Sequence, residues 1–181
     1  IYQCDWSSDV CSSDLIGLRG APNKLRLPNE EMKVEIDGRV QQKVIYGLSN
    51  PMDFRGKHLV VVGGGNVAVE AAVDLVCVRE GSSVRPRDPG DMNQVTVLVR
   101  DFLAPTVKFG NKYQLYSAAE TGLLDLKFGA GIREMTEREV VIEDVQTKAE
   151  ICRIPNDFIL DRKSTRLNSS HTDISRMPSS A

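Results

Sequence analysis

The chain has 181 residues, a formal net charge of −2 and 41% hydrophobic residues. That balance gives no electrostatic case for binding nucleic acid or an anionic membrane. No apolar run approaches the roughly 20 residues that a membrane helix needs, and the length suits one domain core rather than two.

The two ends read as translated adapter DNA, not as native protein. DNA able to encode residues 1–15 has a reverse complement that encodes DRKSTRLNSSHTDI, the sequence of residues 161–174. Two ends of a natural protein have no reason to be antisense copies of each other. The strings also resemble a common short-read library adapter running on to residue 181. Residues 1–15 and 161–181 are therefore set aside. Cys4, Cys11, Trp6, His171 and the basic run from Arg162 to Arg166 go with them. Alone, those residues would suggest a metal half-site or a nucleic-acid arm. Residues 16–160 then form a piece of a longer protein, cut at both ends. Its basic and acidic residues are nearly balanced, and only Cys77 and Cys152 remain, far apart and without a C-x-x-C pair. Neither a disulfide framework nor a zinc site is indicated, which fits a reducing, cytoplasmic compartment.

In chain order, residues 16–50 begin with a stretch punctuated by proline and glycine, followed by a short strand at 43–48 and a turn at Ser49-Asn50-Pro51. Residues 57–62 predict a strand and 66–78 a helix. Residues 79–94, with Gly, Ser and two prolines, predict an exposed loop. A β-branched strand follows at 95–99, a helix at 110–121 and a strand at 123–128. Shorter strands are expected at 132–136, 139–143 and 151–154, and another begins at 157. Strand and helix alternate before a small meander, the pattern of an α/β, Rossmann-like fold with a parallel sheet.

One segment carries chemistry. Val60-Val61-Val62 leads into Gly63, Gly64, Gly65, Asn66, Val67 and Ala68, so that Gly63, Gly65 and Ala68 fit the G-x-G-x-x-G/A dinucleotide fingerprint. Gly63 permits a tight strand-to-helix turn, Gly65 lets a pyrophosphate approach bare backbone, and Ala68 lets helix and strand pack closely. The phosphates belong on the helix N-terminus, whose free N–H groups and dipole favour negative charge. Asn66 opens the helix, where its amide can cap it and approach a ligand. Ala68, Ala71, Ala72, Leu75 and Val76 then repeat as one apolar helix face.

The stretch GKHLVVVGGGNVAVEAA resembles the pyridine-nucleotide domain of two-dinucleotide-fold flavoproteins, particularly the thioredoxin-reductase-like oxidoreductases. The resemblance implies an NAD(P)H site on the glycine motif, with Glu70 matching a family glutamate two residues past the alanine. IGLRGAPNKLRLPNEEM is similar to the connector by which such a chain leaves its flavin domain, and RIPNDFIL to the crossover by which it returns. Residues 16–56 would then be connector and 57–160 the NAD(P)H-binding domain. FAD would be held by parts of the chain missing here, and oligomerisation of the intact protein stays open. Thioredoxin reductases carry a C-x-x-C pair in this domain to receive electrons from the flavin. Residues 16–160 carry none, which disfavours thioredoxin reduction and leaves the electron acceptor unknown.

Cofactor preference turns on VTVLVRD. NAD-specific domains place a carboxylate at the end of this strand, and NADP-specific ones favour arginine. Arg100 matches the place where NADPH-using relatives carry arginine, so NADP(H) is expected over NAD(H). Asp101 is the competing reader. No catalytic side chain is assigned. Cys77 reads as a buried helix residue and His58 as a surface histidine. Glu137, Arg138 and Glu139 read as a charged turn, while Lys108, Lys112 and Tyr113 could reach a phosphate or simply face solvent. A non-catalytic dinucleotide-sensing module is the alternative reading of the same glycine turn.

Overall fold

A computed structural model describes residues 24–80 and 83–162. Two short strands, β1 (Lys33–Ile36) and β2 (Arg39–Gln42), form an antiparallel hairpin. Its turn, Asp37-Gly38, has both φ angles positive, at 53° and 72°. The main sheet draws on β3 (Val44–Ile45), β4 (His58–Val62), β7 (Gln94–Val99), β8 (Leu124–Phe128) and β12 (Phe158–Asp161), in the order β3-β12-β4-β7-β8. Every neighbouring pair in it is parallel. Helix α1 (Asn66–Val76) joins β4 to β7, and α2 (Phe109–Glu120) joins β7 to β8. An antiparallel meander of β9 (Ala130–Met135), β10 (Glu139–Asp144) and β11 (Glu150–Pro155) separates β8 from β12.

The two-residue period of strands decides which layer each side chain joins. Leu59 and Val61 of β4, Val95, Val97 and Val99 of β7, and Phe158 and Leu160 of β12 pack in one core with the apolar face of α1. The intervening Val60, Leu98 and Ile159 pack in a second core with Met135, Val140 and Ile142 of the meander. Helices cover one face of the sheet and the meander covers the other. Burial on both faces explains the unbroken apolar run at residues 59–62 of β4 and the run at residues 95–99 of β7, interrupted only by buried Thr96. Full burial of each such valine or leucine contributes roughly 1.5–3 kcal/mol.

Three expectations need correction. Residues 79–94 are not simply a loop. Helix α1 ends at Val76, and β5 (Cys77–Glu80) pairs antiparallel with β6 (Ser83–Pro86). The chain then returns to cap α1: Arg87 donates from Nη2 to the Asp74 carbonyl at 2.7 Å, and Asn93 donates from Nδ2 to that of Leu75 at 2.8 Å. Both side chains are buried, because the last carbonyls of a helix need donors from elsewhere. The β1–β2 hairpin lies in what read as an irregular stretch. Finally, β12 runs one residue past the expected boundary at 160, with Asp161 paired to Val62. Ladder hydrogen bonds are made by backbone, whatever the side chain. Residues 1–23 and 163–181 lie outside the described residues, and most of the adapter reading lies there with them.

Lys43 is wholly buried where β2 gives way to β3. Its ammonium donates to the carbonyls of Asn156 at 2.7 Å and Glu137 at 2.9 Å, joining the connector to the meander. Burial pushes its pKa down to about 8, against weaker support from Asp157 and Glu137.

Candidate dinucleotide site

The segment from β4 to α1 turns within three glycines, and each meets different surroundings. Gly63 is buried with φ at +141°, outside the range that L side chains favour. A Cβ there would stand 2.7 Å from the Arg162 carbonyl oxygen and 3.1 Å from the Ala68 Cβ. Gly63 N–H donates to the Leu98 carbonyl at 3.0 Å, holding the turn against β7. A Cβ on Gly64 would come within 2.9 Å of Val99 Cγ1. Gly65 is different. It is the N-cap of α1 in extended conformation (φ −96°, ψ 173°), and nothing lies within 4 Å of its missing Cβ.

The first turn of α1 therefore opens onto free space. No side chain caps it, and no acidic residue sits in the first turn. Val67 is exposed, while Ala68 is wholly buried against the turn. The amides of Asn66, Val67 and Ala68 are the helix's N-terminal orphans, while that of Val69 already bonds the Gly65 carbonyl at 3.1 Å. Such an end, with its dipole, can receive an anion.

The chain leaving β7 is tied back to this turn. Ala104 N–H donates to the Gly64 carbonyl at 2.7 Å. Asn66 donates to the Thr106 carbonyl at 2.9 Å and accepts from Lys108 N–H at 2.9 Å. The capping role expected of Asn66 is thus not the one it plays: Gly65 is the N-cap, and the Asn66 side chain links loop to helix instead. Glu70, half-buried one turn further along α1, accepts from Asn111 of α2 at 2.7 Å. Asn111 was not legible as a site residue, since only the packing of α2 beside α1 brings it there. Arg100 is the first residue past β7 and is exposed, with exposed Asp101 beside it.

Other candidates fall outside this group. His58 begins β4, with Nδ1 3.6 Å from Asp157 Oδ2. Cys77 is buried at the end of α1, where burial raises its thiol pKa. Lys112 lines a concavity of about 380 Å3 with Phe102, Leu103, Tyr116 and Phe128, beyond the ends of β7 and β8. A cavity of about 400 Å3 opens where β4, β7 and β8 begin, at the ends of the sheet away from the glycine turn. Parallel sheets bind ligands beyond the carboxyl ends of their strands, where the turn and Arg100 lie.

A parallel sheet with a glycine turn into a helix at its carboxyl end defines a Rossmann-like class of α/β domain. The model of the pyridine nucleotide-disulphide oxidoreductase family matches residues 26–162. The chain belongs to that family of enzymes. It is 28% identical over 139 residues to bacilliredoxin reductase Bdr of Bacillus subtilis (strain 168), covering 76% of this chain and 36% of that protein. It spans little more than a third of that relative's length. Among solved structures, bacillithiol disulfide reductase Bdr (YpdA) from Bacillus cereus superposes with a TM-score of 0.61 at 25% identity, over 79% of this chain and 37% of that one. Thioredoxin reductase from Lactococcus lactis shares the fold, with a TM-score of 0.55 at 22% identity over 80% of this chain and 42% of that one.

Proposed function

We propose that this chain is the NAD(P)H-binding part of an FAD-dependent oxidoreductase. The observation that carries the reading is the open, uncapped N-terminus of α1 above Gly65, in a chain of this family. The amides of Asn66, Val67 and Ala68 would hold the pyrophosphate, and Gly63 and Gly64 would keep the turn closed beneath it. Glu70 would face the nicotinamide half and Arg100 the adenosine 2′-phosphate. When bound, reduced nicotinamide supplies a hydride, and the chain's own part is to orient it toward a flavin held by the rest of the protein. The family points to a disulfide as the class of final acceptor. Between residues 16 and 160 there is no C-x-x-C pair to relay electrons, so the relay would lie elsewhere in the intact enzyme or on its partner.

The reading is tested by titrating the chain with NADPH and NADH. NADPH should bind more tightly. Arg100→Ala should lose about 1–3 kcal/mol for NADPH, as expected for charge-assisted hydrogen bonds, and little for NADH. Equal losses, or tighter binding of NADH, would hand the ribose to Asp101 and reverse the preference. The chain alone should not turn over NADPH with a dye acceptor. Turnover without added flavin would refute the division of labour.

A further inference from the structure

Asn111 is the third residue of α2, and its side chain crosses to α1. Its Nδ2 donates to Glu70 Oε1 at 2.7 Å and to Asn66 Oδ1 at 3.1 Å. A primary amide nitrogen has two hydrogens, so both are committed and the orientation of the group is fixed. Among the described residues, Asn111 is the sole hydrogen-bond partner of the Glu70 carboxylate. Helical side chains lean toward the N-terminus, so an untethered Glu70 would lie over the turn that begins at Asn66. There it would be drawn to the helix N–H groups and would repel a diphosphate.

We propose that Asn111 is a positioning residue for the nicotinamide end of the site. It holds Glu70 by Oε1, clear of the phosphate position. Oε2 is then left to accept from a ligand N–H or O–H, such as the nicotinamide carboxamide or its ribose hydroxyls. Ordering this flexible carboxylate in advance lowers the entropy lost on binding. The inference rests on the assignment of the glycine turn to a nicotinamide dinucleotide.

The test compares NADPH with 2′-AMP, which shares the adenosine 2′-phosphate but lacks both the pyrophosphate and the nicotinamide, using the full 181-residue chain. At pH 8, Asn111→Asp sets a carboxylate against Glu70 and should weaken NADPH about tenfold while changing 2′-AMP by less than about twofold. The affinity should recover as the pH falls toward 5.5, because two facing carboxyls come to share a proton and one becomes a donor. Asn111→Ala should weaken NADPH less, with no such recovery, and should add nothing in a Glu70→Gln background. Equal losses for both ligands, a loss without the pH recovery, or unchanged NADPH affinity would each overturn the role. If Asn111→Asp does not fold, the Asn111→Ala and Glu70→Gln cycle decides. A folded wild type that binds neither nucleotide would bring down the dinucleotide reading and this proposal with it. Binding by wild type with indifferent variants would remove Asn111 alone.

Discussion

Gly65→Asp should make the protein more stable and its cofactor weaker. Gly65 already has N-cap geometry, extended backbone and empty space where a side chain would stand. Replacing glycine there restricts the unfolded chain, contributing about 0.4–1 kcal/mol. An aspartate can also accept from Val67 or Ala68 N–H, and its charge beside the helix N-terminus adds about 0.3–1 kcal/mol. Together these give roughly 1–2 kcal/mol, a rise in Tm of about 2–8 °C for a domain of this size. The same carboxylate occupies donors that a pyrophosphate would use and places like charge beside it. Each charge-assisted bond contributes about 1.5–3 kcal/mol, so the loss of one should weaken NADPH at least about tenfold. Thermal denaturation followed by circular dichroism, paired with nucleotide titration, reads both effects. A loss of stability would mean that the helix start is not open as described. A gain in stability with NADPH affinity intact would mean that the pyrophosphate does not lie on this turn.

Gly63→Ala should act in the opposite sense. Its positive φ costs roughly 1–3 kcal/mol for an L residue, and the 2.7 Å approach to the Arg162 carbonyl adds overlap. A urea midpoint unchanged within error would refute that account. Lys43 predicts a pH dependence. Its folded pKa of about 8 lies below the unfolded value near 10.5, so the unfolded chain holds its proton more tightly. The contribution to stability is full above pH 10.5 and is lost as pH falls through 8. Between pH 8 and 9.5 the unfolding free energy should rise by about 1–2 kcal/mol. That slope should be absent from Lys43→Met in matched urea titrations.

The central sheet was readable because β4, β7 and β12 are apolar on both faces and because the glycine turn sits where strand gives way to helix. The β1–β2 hairpin carried its own signal, Asp37-Gly38, a pair suited to a turn with two positive φ angles. Its flanks, KVEI and RVQQ, are too polar to stand out as strands, and β2 is exposed throughout. Residues 79–94 misled for a different reason. Their charges and prolines describe a surface, while the value of Arg87 and Asn93 lies in carbonyls more than ten residues back along the chain. The site divides in the same way. Gly63, Gly65 and Ala68 have a local spacing that sequence displays. The bonds from Asn111 to Glu70 and Asn66 depend on how two helices pack, and no spacing rule encodes them.

The position of β12 bears on how the domain reaches its folded state. Phe158 and its neighbours lie between β3 and β4, so a strand near residue 160 completes pairings with residues 44–45 and 59–62. Until it inserts, β3 has no partner in the sheet and β4 has a bare edge. Contacts this distant in sequence close slowly, because chain entropy is lost before the contact forms. β4, α1, β7, α2 and β8 can assemble first from neighbouring segments, with β12 sliding into the gap late. During synthesis on the ribosome, the nascent domain would carry that open seam until almost all of it had emerged. For that interval it would be exposed to mispairing with another strand edge.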